Sequence, residues 1–254
     1  MGDFKVVRRV ALVTGAAAGI GAACAKRLAQ DEVMVGVLDL DEPRCAATVE
    51  AITSTGRKAV ALGADVSRRD QVQRAVAKCR ETLGPVTIVI NNAGVTDFTP
   101  FDQVTEDLWN FVYRVNVLGT FIVTQEVLPD MRAAKWGRIV NLSSSSAQTG
   151  SVNMTTYSSS KGSIVTLTRS LAQELGPLGI TVNNIAPGSI MGTIMSEANK
   201  YRSRLSPEEL LKALPVRRLG EPEDLANACA WLCQESSGYF TGQTVGVNGG
   251  RVVS

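Results

Sequence analysis

The chain has 254 residues, 44% of them hydrophobic, and a formal net charge of only +2. This length and hydrophobic content favour one α/β domain that spans 1–254 around a sizeable buried core. The near balance of charge removes the electrostatic argument for a nucleic-acid partner. Histidine is absent, which excludes histidine general bases, Ser-His-Asp triads and the commonest zinc ligand, so no metal site is predicted.

The cysteines and the N-terminal segment bear on where the protein works. There are five cysteines, an odd number without a Cys-x-x-Cys pair, and several lie in apolar helical surroundings. Such thiols behave as small hydrophobic groups and are typical of a reducing compartment. The first ten residues are too polar for a signal peptide, and no apolar run reaches the length of a membrane span. We therefore expect a cytoplasmic protein with no membrane partner.

Short apolar runs rich in β-branched residues alternate with amphipathic segments along the chain. The predicted strands are 10–14, 33–38, 59–64, 86–91, 137–142, 180–186 and 244–248. The predicted helices are 19–30, 42–54, 69–83, 105–135, 156–175, 207–213 and 221–234. This alternation predicts an α/β fold, a single Rossmann-type doubly wound parallel sheet with helices on both faces. An irregular stretch at about 189–214 follows the sixth strand and is interpreted as a substrate lid, an ordinary surface excursion being the alternative.

A glycine-rich turn joins the first predicted strand to the first helix. Gly15, Gly19 and Gly21 have the spacing G-x-x-x-G-x-G. Gly15 allows a tight turn, Gly19 lets the backbone approach a phosphate, and Gly21 lets the helix lie close to the strand. A strand, a glycine turn and a helix N-terminus in this order place backbone N–H groups against a pyrophosphate. The pattern predicts a dinucleotide site, with a tight turn that binds nothing as the alternative.

Asp39 ends the second predicted strand, at the place where an acidic residue can select the cofactor. A carboxylate about 20 residues past the glycines can hydrogen-bond an adenosine ribose diol and repels a 2′-phosphate. No arginine immediately follows Asp39, and Ala18 occupies the loop position where a basic residue would help to hold that phosphate. We therefore predict NAD as the cofactor and keep NADP as the alternative; an ordinary strand-end turn residue is the other interpretation of Asp39.

Tyr157 and Lys161 are four residues apart in a predicted helix, so they lie on one face, one turn apart. An ammonium held beside a phenol favours the phenolate and lowers its pKa. A tyrosine tuned in this way can exchange a proton with a substrate oxygen near neutral pH. A lone Tyr-x-x-x-Lys match also arises by chance as a surface pair. The match is therefore evidence for catalysis only because a dinucleotide site is predicted in the same chain.

These residues together resemble the short-chain dehydrogenase/reductase family over nearly the whole chain, from 10 to 250. The resemblance implies that the cofactor contacts come from the glycine turn, the ends of the second, third and fourth strands, and the segment after the sixth strand. The positions implied are Gly15, Ala18, Gly19, Ile20, Gly21, Asp39, Leu40, Asp65, Val66, Asn92, Ala93, Gly94, Tyr157, Lys161, Pro187, Gly188, Ile190 and Thr193. Thr193 is displaced by one residue from its usual place.

The resemblance also implies a catalytic tetrad of an asparagine, a serine, a tyrosine and a lysine: Asn116, Ser144, Tyr157 and Lys161. Ser144 lies 157 − 144 = 13 residues before Tyr157, the usual family interval, with Ser143 and Ser145 as the alternatives in the serine run. In the family the tyrosine exchanges the proton and the serine fixes the substrate oxygen. The lysine lowers the tyrosine pKa and binds the nicotinamide ribose, and the asparagine holds a water that links the lysine to solvent.

The implied activity is hydride transfer between NAD(H) and a small-molecule secondary alcohol or ketone. Motifs in the tail resemble reductases of 3-oxoacyl thioesters, and the segment 92–101 resembles dehydrogenases of cyclic hydroxyacyl-CoA compounds. The expected substrate is a hydroxyacyl or oxoacyl thioester, or a cyclic or small secondary alcohol. The alternatives are an NADPH-dependent 3-oxoacyl-carrier-protein or acetoacetyl-CoA reductase, an epimerase or dehydratase on a tightly held NAD, and an inactive nucleotide-binding relative. Family members are commonly homotetramers, which implies the same assembly here.

Overall fold

The computed structural model describes residues 9–192 and 206–253. Its centre is a parallel sheet of seven strands in this part of the chain, in the order β3-β2-β1-β4-β5-β6-β7. The strands are β1 (Val10–Thr14), β2 (Met34–Asp39), β3 (Ala59–Gly63), β4 (Ile88–Asn91), β5 (Gly137–Leu142), β6 (Ile180–Pro187) and β7 (Thr244–Val247). The order reverses between β1 and β4, which confirms the predicted doubly wound, Rossmann-type sheet.

Helices connect the strands and cover the sheet. They are α1 (Gly19–Gln30), α2 (Glu42–Thr53), α3 (Arg69–Leu83), α4 (Glu106–Tyr113), α5 (Gly119–Ala134), α6 (Ser146–Thr149), α7 (Thr155–Leu175), α8 (Pro207–Lys212) and α9 (Pro222–Leu232). Short 3-10 turns lie at Phe101–Gln103, Gly176–Leu178 and Glu235–Ser237. No helix of the described ranges is long and apolar enough to cross a membrane.

The core consists of two hydrophobic clusters, one on each face of the sheet. Successive residues of a strand point to opposite faces, and β1 shows this directly. Ala11 and Val13 belong to the cluster with α1, α2 and α9, whereas Val10 and Leu12 belong to the cluster with α3, α5 and α7. Because every residue of β1 is buried, its sequence is a continuous apolar run and does not alternate between apolar and polar residues.

The segment predicted as one helix over 105–135 contains a π-helical turn, Arg114–Leu118, between α4 and α5. A π turn inserts one residue into a helix and is frequent at functional sites. Here it contains Asn116, whose exposed fraction is 0%. The helical span was predicted correctly, but the extra residue was missed because one insertion leaves the hydrophobic periodicity of a long helix almost unchanged.

The remaining differences are small. Strand and helix ends shift by one or two residues, and α6 was not predicted because four residues carry no periodic signal. The predicted lid at about 189–214 overlaps 193–205, which lies outside the described residues, so the lid stays a prediction. Within the described part, Ile190 forms a bridge with Gly220, and α8 begins with a capping box between Ser206 and Glu209.

Candidate active site

The glycine turn lies at the carboxyl end of β1 and forms a backbone cradle. Gly15 and Gly19 have φ angles of +63° and +55°, a region that favours glycine. A side chain at Gly21 would collide with the carbonyl oxygen of Gly15. The first N–H groups of a helix have no partner within the helix. In α1 the cap residue Ala18 provides no side-chain partner for them either. This cradle fits a pyrophosphate at a helix N-terminus.

Asn92 and Thr14 tie the glycine turn to the end of β4. The amide nitrogen Nδ2 of Asn92 donates to the carbonyl oxygens of Thr14 and Gly15 at 2.9 and 3.0 Å. The hydroxyl of Thr14 accepts from the backbone N–H groups of Asn92 and Ala93, both at 3.0 Å. Asn92 therefore fixes the shape of the cradle through its bonds to the turn's carbonyl oxygens. The role of Thr14 was missed, although a hydroxyl residue directly before the first glycine was visible in the sequence.

Asp39 lies at the end of β2, beside the glycine turn. Its carboxylate accepts from the backbone N–H groups of Ala17 at 3.1 Å and Leu40 at 2.9 Å, and its side chain is 15% exposed. Arg44 Nη1 lies 3.8 Å from the same carboxylate. Arg44 was not selected from the sequence; it lies five residues past Asp39, in the first turn of α2.

Asp65 and Val66 occupy the turn after β3. The side chain of Asp65 accepts from the backbone N–H and the hydroxyl of Ser67 at 2.9 and 2.7 Å, which rigidifies this turn. Val66 is buried, and a side chain at Gly119 would lie 2.7 Å from its Cγ2. The turn is thus packed against the start of α5, close to the π-helical turn.

Tyr157 and Lys161 lie on the first two turns of α7, and each side chain is 5% exposed. The Tyr157 hydroxyl lies near the side chain of Ser144, which acts to lower the pKa of the phenol. The Lys161 nitrogen Nζ donates to the carbonyl oxygen of Leu142 at 2.8 Å and lies 5.8 Å from the centroid of the tyrosine ring. The structure therefore brings the predicted serine, tyrosine and lysine together beyond the end of β5.

Burial dominates the pKa values of this pair. It raises the pKa of Tyr157 to about 12, and the nearby side chain of Ser144 opposes this only in part. Burial also lowers the pKa of Lys161 to about 8. The lowered tyrosine pKa that the Tyr-Lys pairing predicts is therefore not what the structure gives, because loss of water around the phenolate dominates the pKa of Tyr157.

The three candidate serines have different environments. Ser143 is 3% exposed, donates to the carbonyl oxygen of Ile185 and accepts from Asn184 Nδ2 at 2.7 Å, so its hydroxyl belongs to the sheet. The hydroxyl of Ser144 accepts from the backbone N–H and the hydroxyl of Ser146 at 3.1 and 2.9 Å. Ser145 caps α6 without a side-chain bond to it. Of the three, Ser144 is the one whose side chain influences the pKa of Tyr157, which favours the predicted assignment.

Asn116 holds the loop after β4 against α7. Its Oδ1 accepts from the backbone N–H of Val95 at 2.8 Å, and its Nδ2 donates to the carbonyl oxygen of Val95 at 2.9 Å and to Ser160 Oγ at 3.0 Å. A side chain at Gly94 would lie 3.1 Å from Asn116 Oδ1 and 3.3 Å from Lys161 Nζ. Gly94 thus lets the loop approach both groups. A water held by Asn116 stays a prediction.

The segment after β6 lies beside the serine run. The carbonyl oxygen of Pro187 accepts from the N–H of Ser145 at 2.9 Å, and the N–H of Gly188 donates to Val247 at 3.1 Å. Ile190 is buried with an exposed fraction of 8%. Thr193, the remaining residue predicted to contact the cofactor, lies outside the described residues.

The comparisons with known proteins agree with this geometry. The chain belongs to the short-chain dehydrogenase family, whose model matches residues 9–203. A hydroxy(phenyl)methyl-succinyl-CoA dehydrogenase subunit of Thauera aromatica is 37% identical, over 97% of both chains. Acetoacetyl-CoA reductase of Cupriavidus necator is 37% identical over 96% of this chain and 98% of its own. A 3-oxoacyl-acyl-carrier-protein reductase of Aquifex aeolicus is 35% identical over 98% and 99%.

The family and these relatives define the class of chemistry. The protein is an oxidoreductase that acts on the CH–OH or keto group of a small-molecule substrate, and it uses a nicotinamide dinucleotide as the family does. The family prediction made from the sequence is confirmed.

Proposed function

We propose that the protein interconverts a secondary alcohol and its ketone with NAD(H), and that Asn116, Ser144, Tyr157 and Lys161 provide the proton chemistry. The observation that carries this proposal is that the buried side chains of Tyr157 and Lys161 lie together beside Ser144. These residues lie at the carboxyl edge of the sheet, on the same side as the glycine cradle. This is the edge at which ligands bind in open parallel sheets.

When bound, a nicotinamide dinucleotide would supply the hydride chemistry at the substrate carbon. Tyr157, with a pKa raised to about 12, is protonated at neutral pH and donates its proton to the carbonyl oxygen during reduction. Ser144 hydrogen-bonds the same oxygen and fixes its direction. Lys161, whose pKa is lowered to about 8, still carries its charge near pH 7 and stabilises the phenolate that the proton transfer leaves.

The glycine cradle would hold the pyrophosphate through the N–H groups of Gly19, Ile20 and Gly21. Asp39 would accept from the adenosine ribose diol, which favours NAD over NADP. Arg44 is the observation that favours the second candidate, an NADPH-dependent 3-oxoacyl-thioester reductase, because a guanidinium 3.8 Å from Asp39 could bind a 2′-phosphate. Since Arg44 is 56% exposed and the carboxylate is fixed by two backbone bonds, we place NAD first.

The substrate within this class is proposed to be a hydroxyacyl or oxoacyl thioester, or a cyclic or small secondary alcohol. The names of the relatives support the thioesters, since one is a dehydrogenase of an acyl-CoA and the others reduce acetoacetyl-CoA and 3-oxoacyl carrier protein. An acyl-CoA carries phosphates that basic side chains would bind, and the basic residues of the predicted lid at 200, 202 and 204 lie outside the described residues.

The experiment that tests the cofactor proposal is a fluorescence titration of the purified protein with NADH and with NADPH. We expect tighter binding of NADH. Tighter binding of NADPH would replace the proposal with the reductase alternative, and binding of neither would refute dinucleotide chemistry. A screen of secondary alcohols with NAD and of oxoacyl thioesters with NADH then tests the substrate class.

We also propose a cytoplasmic homotetramer. All five cysteines are free and buried, which suits a reducing compartment. Phe111, Leu118 and Phe121, on α4, the π-helical turn and α5, are large apolar side chains that remain more than 40% exposed, and a second copy packed on these helices would cover them. Light scattering coupled to size-exclusion chromatography tests the assembly: a monomeric mass would refute it.

A further inference from the structure

Ser146 lies two residues past Ser144 and was not selected from the sequence. It is the first residue of α6, and only 6% of it is exposed. Its carbonyl oxygen accepts from the backbone N–H of Gly150 at 2.9 Å, which closes the short helical turn. The backbone therefore holds Ser146 in a fixed position beside the serine assigned to the substrate oxygen.

Ser146 presents two donors to the hydroxyl of Ser144. Its backbone nitrogen donates to Ser144 Oγ at 3.1 Å, and its own hydroxyl oxygen lies 2.9 Å from the same atom. Within the described ranges, Ser144 Oγ is the one hydrogen-bond partner of the Ser146 hydroxyl. Because a buried hydroxyl hydrogen needs an acceptor, the hydroxyl of Ser146 donates to Ser144 and does not accept from it.

These two bonds fill the acceptor capacity of Ser144. A serine hydroxyl has one hydrogen to donate and two lone pairs that accept, and Ser146 takes both lone pairs. Ser144 keeps only its hydrogen, so it can donate to a substrate oxygen but cannot accept from a substrate. The residue is itself only partly buried, which leaves this hydrogen a direction toward a bound molecule. A hydroxyl that accepts hydrogen bonds is also polarised and becomes a stronger donor.

We propose that Ser146 is a positioning residue of the proposed reaction, which fixes Ser144 as a hydrogen-bond donor to the substrate oxygen. This inference rests on the proposed function, because it takes Ser144 as the group that holds this oxygen. The oxygen gains negative charge while its carbon is reduced, so a fixed donor stabilises the transition state more than the bound ketone. Any residue other than proline supplies the N–H at position 146, whereas the second donor requires a hydroxyl there.

The test is a double-mutant cycle on Ser144→Ala and Ser146→Ala. Ser145→Ala is the matched control, since Ser145 lies between the two but its side chain makes no hydrogen bond to α6. The values of kcat and KM are measured for the reduction of acetoacetyl-CoA and of cyclohexanone, with NADH and with NADPH. Ser144→Ala keeps enough activity for this comparison, because removing one donor of this kind costs about 100- to 1,000-fold in kcat.

We expect Ser146→Ala to lower kcat about 3- to 10-fold, as the loss of one neutral hydrogen bond provides. The KM of the ketone and the Kd of the cofactor should stay within about twofold of wild type, since the lost bond acts in the transition state. In the Ser144→Ala background the same substitution should change kcat less than about twofold, because Ser146 acts through Ser144. Ser145→Ala should change kcat less than about twofold in both backgrounds.

Three results would overturn the proposal. An equal loss of kcat from Ser146→Ala in both backgrounds would show that the residue acts by another route. A loss of kcat that comes with a raised KM, weaker cofactor binding and a lower Tm would show that Ser146 only stabilises the turn. A wild-type kcat in Ser146→Ala, or an equal loss in the control Ser145→Ala, would show that the second donor has no part in the reaction.

A cycle on thermal unfolding separates this proposal from the proposed function. Ser144→Ala leaves the buried hydroxyl of Ser146 without its partner and should lower Tm by about 2–4 °C, and adding Ser146→Ala should lower it no further. Additive changes in Tm refute the hydrogen bond, and this proposal with it, even if wild type reduces a ketone. If wild type reduces neither ketone with either cofactor, the proposed function fails and the positioning role fails with it, although the non-additive Tm still shows the bond.

Discussion

Replacing Asp39 with asparagine tests how the protein chooses its cofactor. The carboxylate accepts two backbone N–H bonds, from Ala17 and Leu40, and asparagine offers a single acceptor oxygen, so one of them is lost at about 1 kcal/mol. The hydrogen bond to the ribose diol also loses its charge, which is worth about 1.5–3 kcal/mol. We therefore expect NADH to bind roughly 10- to 100-fold more weakly.

The same substitution should strengthen the binding of NADPH. A carboxylate and a phosphate about 5 Å apart repel each other by about 3 kcal/mol per pair of charges at an effective dielectric constant of about 20. Partial exposure of Asp39 and the nearby guanidinium of Arg44 reduce this to about 1–2 kcal/mol. The ratio of the two dissociation constants should therefore move toward NADPH by roughly 100-fold or more.

Fluorescence titration with both cofactors measures this ratio, and Asp41→Asn is the matched control. Asp41 is also a carboxylate beside Arg44, but it caps α2 by accepting the N–H of Arg44 at 3.1 Å, and asparagine caps a helix equally well. The control should leave the ratio within about threefold of wild type. If Asp39→Asn changes the ratio no more than Asp41→Asn does, Asp39 does not select the cofactor.

Three further substitutions test the cradle and the catalytic pair. Tyr157→Phe should reduce kcat by about 100- to 10,000-fold, the usual contribution of a positioned acid or base, and NADH titration should show unchanged cofactor binding. Lys161→Met should abolish most activity. It should also stabilise the protein at pH 7 by about 1–3 kcal/mol, because it removes a buried ammonium whose pKa is lowered to about 8, and a higher Tm would show this. Gly21→Ala should weaken NADH binding at least about tenfold, since its methyl group collides with the carbonyl oxygen of Gly15.

Each of these predictions has a result that would contradict it. Near wild-type turnover of Tyr157→Phe would exclude the tyrosine as the proton donor. Lys161 keeps its proton up to about pH 10.5 in the unfolded chain but loses it near pH 8 in the folded protein. Wild-type stability should therefore rise between these two pH values, and Lys161→Met should not show this rise. A rise of the same size in Lys161→Met would refute the argument from burial. For the cradle, Gly162→Ala is the control, since no atom beyond its chain neighbours and its own helix backbone lies within 4 Å of the added methyl group. Equal weakening by both variants would refute the collision.

The sheet could be predicted because its central strands, β1, β4 and β5, are buried on both faces. Such strands are short continuous apolar runs, and in β1 both Val10 and Ala11 must be apolar because they face different clusters. The glycine turn was equally visible, since the positive φ of Gly15 and Gly19 restricts these positions to glycine. Each of these signals is local, so one short window of sequence contains it.

The features that were missed depend on contacts between distant segments. The π-helical turn adds one residue to a long helix, and the pairing of Asn116 with Val95, 21 positions away, accounts for the direction of its side chain. Likewise, Arg44 was not selected, because no spacing rule shows that its guanidinium approaches Asp39. The pKa of Tyr157 was misjudged because the sequence shows the lysine but not the loss of water around the phenol.

That loss of water also bears on how the proposed reaction would work. A phenol with a pKa of about 12 releases its proton only to a stronger base, and the alkoxide that forms when a carbonyl accepts a hydride is such a base. Once the phenolate forms, the same dry surroundings strengthen its attraction to Lys161. The ammonium of Lys161 therefore stabilises the site little while Tyr157 is neutral and most when Tyr157 is ionised. A group accelerates a reaction only when it stabilises the transition state more than the ground state, and Lys161 meets this condition.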